Sequence, residues 1–580
     1  MEQLPFKEIW AVDFEFHQGG VEGNQQIPVC LVARELRSGR YVKTWQDEFT
    51  TTPPYPIDKD SLIIAYFASA ETHCHLSLGW ELPMNLIDCF AEFRVLTNGV
   101  PVIRGNGLLG ALTYFGLAAI DSEEKTTMRD LILSTGPWNK KEKKSILDYC
   151  QTDVDALAHL LPALVRKLFD RPFWLEHALN RGKFAMATGY MEFNGIPLDV
   201  KTMGEMQDNW PELTTKLIEE IAEEYPVFEG KTFKQSLFAE YLNKEKIAWP
   251  RTATGALALD RETFRQQVRQ HPHLAPIREV RDNLSQMRLS KIQVGTDGRN
   301  RTLLSPFAAK TGRNLPSNAK FIFGPSAWLR SLIKPNKGFG LAYVDFSSQE
   351  IAIAAVLSGD IGMQEGYEHG DPYLDFAVRA GLAPATATKT SHKDIRQMCK
   401  QIVLGTQYGM QAETLSQRAG VPLYRGQQLL RAHKEAYPVY WQWVESLINH
   451  ARSVGYIETV FGWRKFVNEI DTNNSLQNFP CQANGAEMLR LACSMAMDAG
   501  LKIIAPVHDA ILLEAPLETL DQDVEKLQAI MTEAGAIILD GFPVRTDADI
   551  VRFPDRYRDE RGTEMWEKVT DFISGGSSGS

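Results

Sequence analysis

Alternation of apolar and polar residues marks the start of the chain. In EIWAVDFEF, residues 8–16, a period of two sets Ile9, Ala11, Asp13 and Glu15 on one face and Trp10, Val12, Phe14 and Phe16 on the other, which predicts a strand carrying two carboxylates side by side. From about residue 140 the period changes. KKEKKSILDYCQTDVDALAHLLPALVRKLF reads as a long helix, with Tyr149 and Asp153 four residues apart on one side of it. Pro and Gly punctuation beyond residue 170 marks a junction, and residues 200–295 read as charged helices. GFGLAYVDF, residues 338–346, reads as a strand with Asp345 at its end, followed by a helix whose Ser347 and Glu350 stand in the spacing of a capping box. Helices continue to about 455, after which GYIETVFGWRKF returns to strands. KIIAPVHDAILLEA, residues 502–515, reads as a hairpin with His508 and Asp509 at its tip.

Length changes this picture first, because 580 residues are too many for one core and require two or more domains. With 44% hydrophobic and 23% charged residues the composition is that of an ordinary folded chain. No apolar run approaches a membrane span and the first residues enter a strand pattern with no leader, so no membrane partner and a cytoplasmic location, in a bacterial or phage-infected cell, are expected. The seven cysteines are scattered without a C-x-x-C pair, which argues against disulfides and thiolate metal sites. A net charge of −11 argues against indiscriminate coating of nucleic acid. Residues 298–344 nevertheless hold Arg299, Arg301, Lys310, Arg313, Lys320, Arg330, Lys334 and Lys337 without one acid. Together with Phe307, Phe321, Phe323 and Trp328 they fit a surface that tracks a nucleic-acid backbone. The final SGGSSGS, residues 574–580, reads as a flexible linker.

Two groups of residues carry chemistry. Adjacent carboxylates such as Asp13 and Glu15 repel unless a cation lies between them, which points to a hard-metal site. In RQMCKQIVLGTQYG, residues 396–409, Arg396, Lys400, Leu404 and Tyr408 recur every four residues, giving a helix one stripe of two cations, an apolar group and a phenol, interrupted by Gly405 and Gly409. Such a stripe suits a triphosphate, whose oxygens it neutralises.

This segment resembles motif B of family A DNA polymerases, the bacterial DNA polymerase I family, in every position except Leu404, where the family has an aromatic ring. YVDFSSQEI then resembles motif A, and VHDA resembles motif C with Ala510 in place of the last acid. AAKTGRNLPS resembles the segment that brings Arg313 near the primer terminus, and LQNFPCQANGAEMLR the one whose Asn478 and Gln482 contact the minor groove. The resemblance implies that Asp345 and Asp509 bind catalytic metal, that Glu350 blocks a ribose 2′-hydroxyl, and that Arg396, Lys400, Leu404, Tyr408 and His508 line the substrate site. Asp13, Glu15, Tyr149 and Asp153 resemble the first and third motifs of DEDD 3′ to 5′ exonucleases. The second motif departs from the pattern, with Glu71 where the family has aspartate and Asp88 as the other candidate, either of which could equally be a surface or helix-capping acid.

The implied fold is multi-domain α/β and α+β: an RNase H-like exonuclease domain followed by a right-hand polymerase of palm, fingers and thumb. The expected boundaries are 1–170 for the exonuclease-like domain, 171–297 for junction and thumb, 298–358 and 456–573 for the palm, and 359–455 for the fingers, with no 5′-nuclease domain ahead of them. The implied cofactors are two Mg2+ ions per active site, replaceable by Mn2+, held by Asp345 and Asp509 in one site and by Asp13, Glu15, Glu71 and Asp153 in the other. The implied partners are primer-template DNA and dNTPs; nothing in the sequence identifies a processivity partner. The competing readings are a polymerase whose exonuclease domain is inactive, and a nuclease or replication scaffold that only binds DNA through its C-terminal part.

Overall fold

The computed structural model describes residues 3–117, 122–252, 254–286 and 289–576, so the last four residues of the Gly/Ser stretch lie outside the described part. The chain forms two compact units, each assembled from separated segments. The first comprises residues 1–195, 303–315 and 339–550; the second comprises 196–302, 316–338 and 551–580.

The first unit opens with a five-stranded sheet. Strands β1 (Glu8–His17), β2 (Ile27–Glu35), β3 (Tyr41–Trp45), β4 (Ser61–Ala65) and β5 (Leu86–Asp88) lie in the order β3-β2-β1-β4-β5. β1 is central, antiparallel to β2 and parallel to β4. Its position explains its composition: Ile9 to Val12 are buried, and the chain becomes polar only at Asp13 and Glu15, where the cover ends. The helices of this region include α1 (Ser69–Ser77), α2 (Cys89–Thr97), α3 (Lys140–Leu168) and α4 (Trp174–Asn194). Trp10, Phe14, Leu31, Ile63, Trp80 and Met186 form one core cluster, so the sheet is closed from several sides by large side chains. In the same region, buried Glu92 of α2 accepts from Arg181 at 2.6 Å and from the Trp174 indole at 2.7 Å. This mixed sheet with flanking helices fits the RNase H-like domain expected at the N-terminus.

A second sheet, which belongs to the same unit except for the last two residues of β11, holds β6 (Phe339–Phe346), β9 (Ile503–Val507), β10 (Ala510–Pro516) and β11 (Thr546–Arg552) in the order β9-β10-β6-β11. The short hairpin of β7 (Tyr456–Glu458) and β8 (Arg464–Phe466) stands apart from it. Between β6 and the second sheet's return come α5 (Gln349–Ser358), α6 (Pro372–Arg379), α7 (Lys393–Gln407) and α8 (Asn473–Asp498). Among the described residues no helix is long and apolar enough to cross a membrane.

The second unit has its own aromatic core, in which Phe238 meets Trp249 edge-on at 4.9 Å and stacks on Phe264 at 5.5 Å. It also corrects the reading of residues 298–344 as one exposed basic surface. Phe321, Phe323 and Trp328 are buried there, as is Phe307 in the first unit. Arg301 is held by Asp297 at 2.7 Å, Arg330 by Asp559 at 2.7 Å and Lys334 by Asp199 at 3.8 Å. The compensating acids lie outside the acid-free window, which is why the window looked unopposed. All seven cysteines are free and buried.

Glu192, near the end of α4, accepts the Leu304 backbone N–H at 2.7 Å, and burial pushes its carboxyl up to about 8. Between its ordinary value near 4.5 and about 8 the folded chain keeps a proton that the unfolded chain has lost, so stability falls as pH rises through this window. Glu192→Gln keeps an acceptor and removes the titration. Its melting temperature is expected to fall less between pH 5 and pH 9 than that of the unsubstituted chain, as scanning calorimetry would read.

Candidate active site

Asp345 stands at the end of β6 directly opposite Ala510, the first residue of β10. The two-residue turn before Ala510 is His508–Asp509, and His508 takes φ +59°, the left-handed conformation that lets so short a turn close. Acids 164 positions apart thereby reach the same end of one sheet, and the Asp509 carbonyl accepts from the Phe346 N–H at 3.3 Å. Burial, then Asp509, then Asp547 and Asp549 push the Asp345 carboxyl up to about 6. Asp547 and Asp549 are exposed on β11, the strand beside β6. Sequence reasoning missed them, although Asp-Ala-Asp has the same period-two signature as Asp13-Phe-Glu15.

The expected capping box after Asp345 is not made. α5 begins one residue later than that reading placed it, with Ser348 as N-cap at φ +53° and no side-chain cap. Glu350 turns instead to other partners: its Oε1 accepts from the Tyr408 hydroxyl at 2.9 Å and lies 3.6 Å from the Arg313 guanidinium. Burial, followed by this bond and the charge of Glu350, pushes the Tyr408 phenol up, and Gln482 also bonds that hydroxyl. Asn478, one helical turn before Gln482 on α8, reaches the Tyr408 carbonyl at 3.4 Å. Residues from four sequence motifs thus meet here: Arg313 and Tyr408 hold the Glu350 carboxylate, and Gln482 bonds the Tyr408 hydroxyl, with Asn478 beside them.

α7 carries Arg396, Lys400 and Leu404, and Tyr408 caps its C-terminus. Gly405 does not interrupt it; the helix runs through this residue, where the missing side chain makes room for Leu415. Gly409 does end it, at φ +73°, and any Cβ there would lie 2.5 Å from Asn474. Arg396 is paired with Asp371 at 2.5 Å and, like Lys400, lies over the Tyr373 ring. Neither partner was legible, because both belong to α6 and its cap, outside the motif. Gln477, also missed, is buried on α8 and donates to the Thr406 and Gln407 carbonyls at 3.0 Å each, fixing the end of α7.

At the first sheet, ligand atoms of Asp13, Glu15 and Cys150 lie within 4.8 Å of one another. Tyr149 and Asp153 of α3 join them: burial, then Asp153, Glu15 and Asp13, push the Tyr149 phenol up. Glu71 of α1 is buried, its Oε2 has no hydrogen-bond partner, and burial followed by Asp13, Asp88 and Asp153 holds its carboxyl well above the ordinary range. Asp88 acts locally. One of its oxygens accepts from Phe90 and Phe67, both at 2.9 Å, which makes it the N-cap of α2. The other Asp88 oxygen, like Glu71 Oε2, is buried without a hydrogen-bond partner, and burial pushes the Asp88 carboxyl up to about 6.

The family model described as DNA polymerase family A matches residues 200–551. This chain belongs to that family. It is 24% identical to the thermostable DNA polymerase I of Thermus aquaticus over 62% of its own length and 46% of the relative's, so it spans about half of that protein. It is 25% identical to the DNA polymerase of Mycobacterium phage D29, with 67% of this chain and 63% of that one covered, and 26% identical to DNA polymerase I of Aquifex aeolicus, with 69% and 71% covered. Among solved structures, the POL domain of Pol1 from M. smegmatis, in complex with DNA primer-template and dNTP, superposes with a TM-score of 0.73 at 17% identity, covering 94% of this chain and 95% of that one. The fold is therefore the palm, fingers and thumb arrangement of family A.

Asp371 does two things that substitution separates. Its Oδ1 caps α6 through Tyr373 and Leu374 while its Oδ2 holds Arg396. Asp371→Ala is expected to cost about 1–2 kcal/mol in chemical denaturation, and Asp371→Asn, which retains the cap, to recover roughly half of that.

Proposed function

We propose that the chain is a template-directed DNA polymerase that extends a primer 3′ end with dNTPs, and that its N-terminal domain is a 3′ to 5′ exonuclease that proofreads. The observation that carries the first reading is the meeting of Asp345 and Asp509 at one sheet end, where burial and then the neighbouring acids push Asp345 up to about 6. Hard oxygen donors that repel one another suit a pair of magnesium ions, with manganese as the substitute. When bound, such ions lower the pKa of an attacking oxygen and neutralise a leaving pyrophosphate. Asp345 and Asp509 would hold them, and the chain works with these two carboxylates because Ala510 offers none.

The remaining residues bind and orient. Arg396 and Lys400 meet the triphosphate, Arg396 exchanging Asp371 for phosphate as the fingers close. Leu404 packs on the incoming nucleoside. Glu350, pinned by Tyr408, stands beneath the sugar and excludes a 2′-hydroxyl, while His508 flanks Asp509. Arg313, Asn478 and Gln482 face the minor groove of the primer-template. The palm is read as 298–358 and 456–573, the fingers as 359–455 and the thumb within 171–297.

For the exonuclease, the unpartnered buried oxygen of Glu71 and the adjacent Asp13, Glu15 and Asp153 fit a divalent-cation site, with Tyr149 placed to orient a water. Glutamate in the second motif favours a slower reaction, since about an ångström of misplacement costs on the order of a hundredfold.

In primer extension with four dNTPs and magnesium, Asp345→Asn and Asp509→Asn are each expected to lose incorporation on the order of a thousandfold or more while primer-template binding survives. Substantial extension by either variant would sink the two-carboxylate site. Single-stranded DNA should be trimmed from its 3′ end with magnesium or manganese. Trimming is expected to vanish in Asp13→Ala, to drop sharply in Glu71→Ala and to persist in Asp88→Asn, which keeps the helix cap. No trimming by the unsubstituted chain, under conditions where it extends primers, would leave a domain that has the exonuclease fold without its chemistry.

A further inference from the structure

We propose that Asn98, a residue of the N-terminal domain, is a positioning residue of the polymerase site, whose side-chain amide fixes the loop that presents Arg313 to Glu350. This inference rests on the polymerase reading above and adds to it a dependence of the sugar-selecting group on the other domain.

Asn98 ends α2 and is completely buried. Its amide nitrogen donates to the Lys310 carbonyl at 2.7 Å and to the Arg464 carbonyl at 3.0 Å, and its Oδ1 accepts from Arg94 at 3.2 Å. Both N–H groups are therefore spent on backbone outside the N-terminal domain. The Lys310 carbonyl takes a second donor, the Trp463 indole, at 2.9 Å, and two residues on the Gly312 carbonyl accepts from Arg490 at 2.7 Å. Residues 309–313 form a tight turn, with Gly312 N–H to the Ala309 carbonyl at 2.9 Å and Ala309 N–H to the Arg313 carbonyl at 3.2 Å. Gly312 has φ +76°, and a Cβ on it would lie 2.7 Å from Arg490.

A turn gripped on both sides of Thr311 cannot shift without breaking buried hydrogen bonds, each costly to leave unmade. The next residue is Arg313, whose guanidinium stands 3.6 Å from Glu350. The Glu350 carboxylate has two anchors, this one and Tyr408, and the first reaches back to Asn98. The plain alternative is that Asn98 only terminates α2, through its own N–H to the Arg94 carbonyl at 2.8 Å. That bond belongs to the backbone and does not require an amide side chain.

Asn98→Asp keeps the shape and turns an oxygen toward two carbonyls. In primer extension with the full chain it is expected to lower kcat/KM for dNTPs on the order of tenfold and to raise rNTP use relative to dNTP use several-fold. Thr97→Val, a buried neighbour on α2 whose hydroxyl bonds only the Phe93 carbonyl, is expected to leave the sugar ratio alone. In an Arg313→Ala background Asn98→Asp should add no further change in that ratio. If Asn98→Asp does not fold, Asn98→Ser, which retains one short donor, is read in the same cycle. A folded Asn98 variant with the original sugar ratio, or one whose effect persists undiminished without Arg313, overturns the proposal. A failure of the polymerase reading would be seen separately, as absence of extension by the unsubstituted chain.

Discussion

Crowded carboxylates are the constraint around which both candidate sites are built. A strand brings its neighbour to about 5 Å, and at a strand end the apolar cover stops, so acids placed there share a small volume at the border between core and water. Asp345 is preceded by buried Leu341, Ala342 and Val344, and faces buried Ala510 to Leu513 on β10. The apolar ladder behind each acid holds it where it would not settle by itself. Burial first, and repulsion between neighbouring acids after it, raises the Asp345 and Glu71 carboxyls in the folded state. The two sheets reach this condition separately, one with acids from neighbouring strands and a hairpin turn, the other with acids from one strand and two helices.

Much of this was legible because it is local. Period-two alternation placed Asp13 and Glu15 correctly on β1, period-four spacing placed Tyr149 with Asp153 and Arg396 with Lys400, and the turn at His508–Asp509 lies where the hairpin reading put it. What failed was non-local. The capping box at Ser347 competed with Tyr408 and Arg313 for the same carboxylate, and tertiary partners won. Three cations of the basic window, Arg301, Arg330 and Lys334, are opposed because Asp297, Asp559 and Asp199 supply counter-charges from other segments. Asp547 and Asp549 alternate on the last strand as Asp13 and Glu15 do on the first, a signature that is local and legible.

α8 shows why periodicity has limits. Its 26 residues bury Gln477, Asn484, Glu487 and Arg490 together with Leu476, Phe479, Met488 and Leu489, so polar and apolar positions are both inside. Each of these polar groups holds a particular neighbour. Gln477 binds the end of α7, Asn484 the Val460 N–H, Glu487 the Thr459 hydroxyl and Arg490 the Gly312 carbonyl. A helix that serves as a scaffold on several sides carries no single wet face for a pattern to reveal.

The division of the chain into interleaved segments has a topological outcome. The polypeptide passes between the two units five times, and residues 303–315 are a short inward visit flanked on both sides by second-unit sequence. Neither unit can be excised as one continuous piece, and a single backbone cut at any one crossing leaves four covalent tethers in place. Contacts of such high sequence separation must form before either unit is complete, which sets a slow entropic search against premature assembly from one end of the chain. A ribosome releasing the polypeptide in order therefore delivers most of the second unit, 196–302 and 316–338, before the largest segment of the first, 339–550.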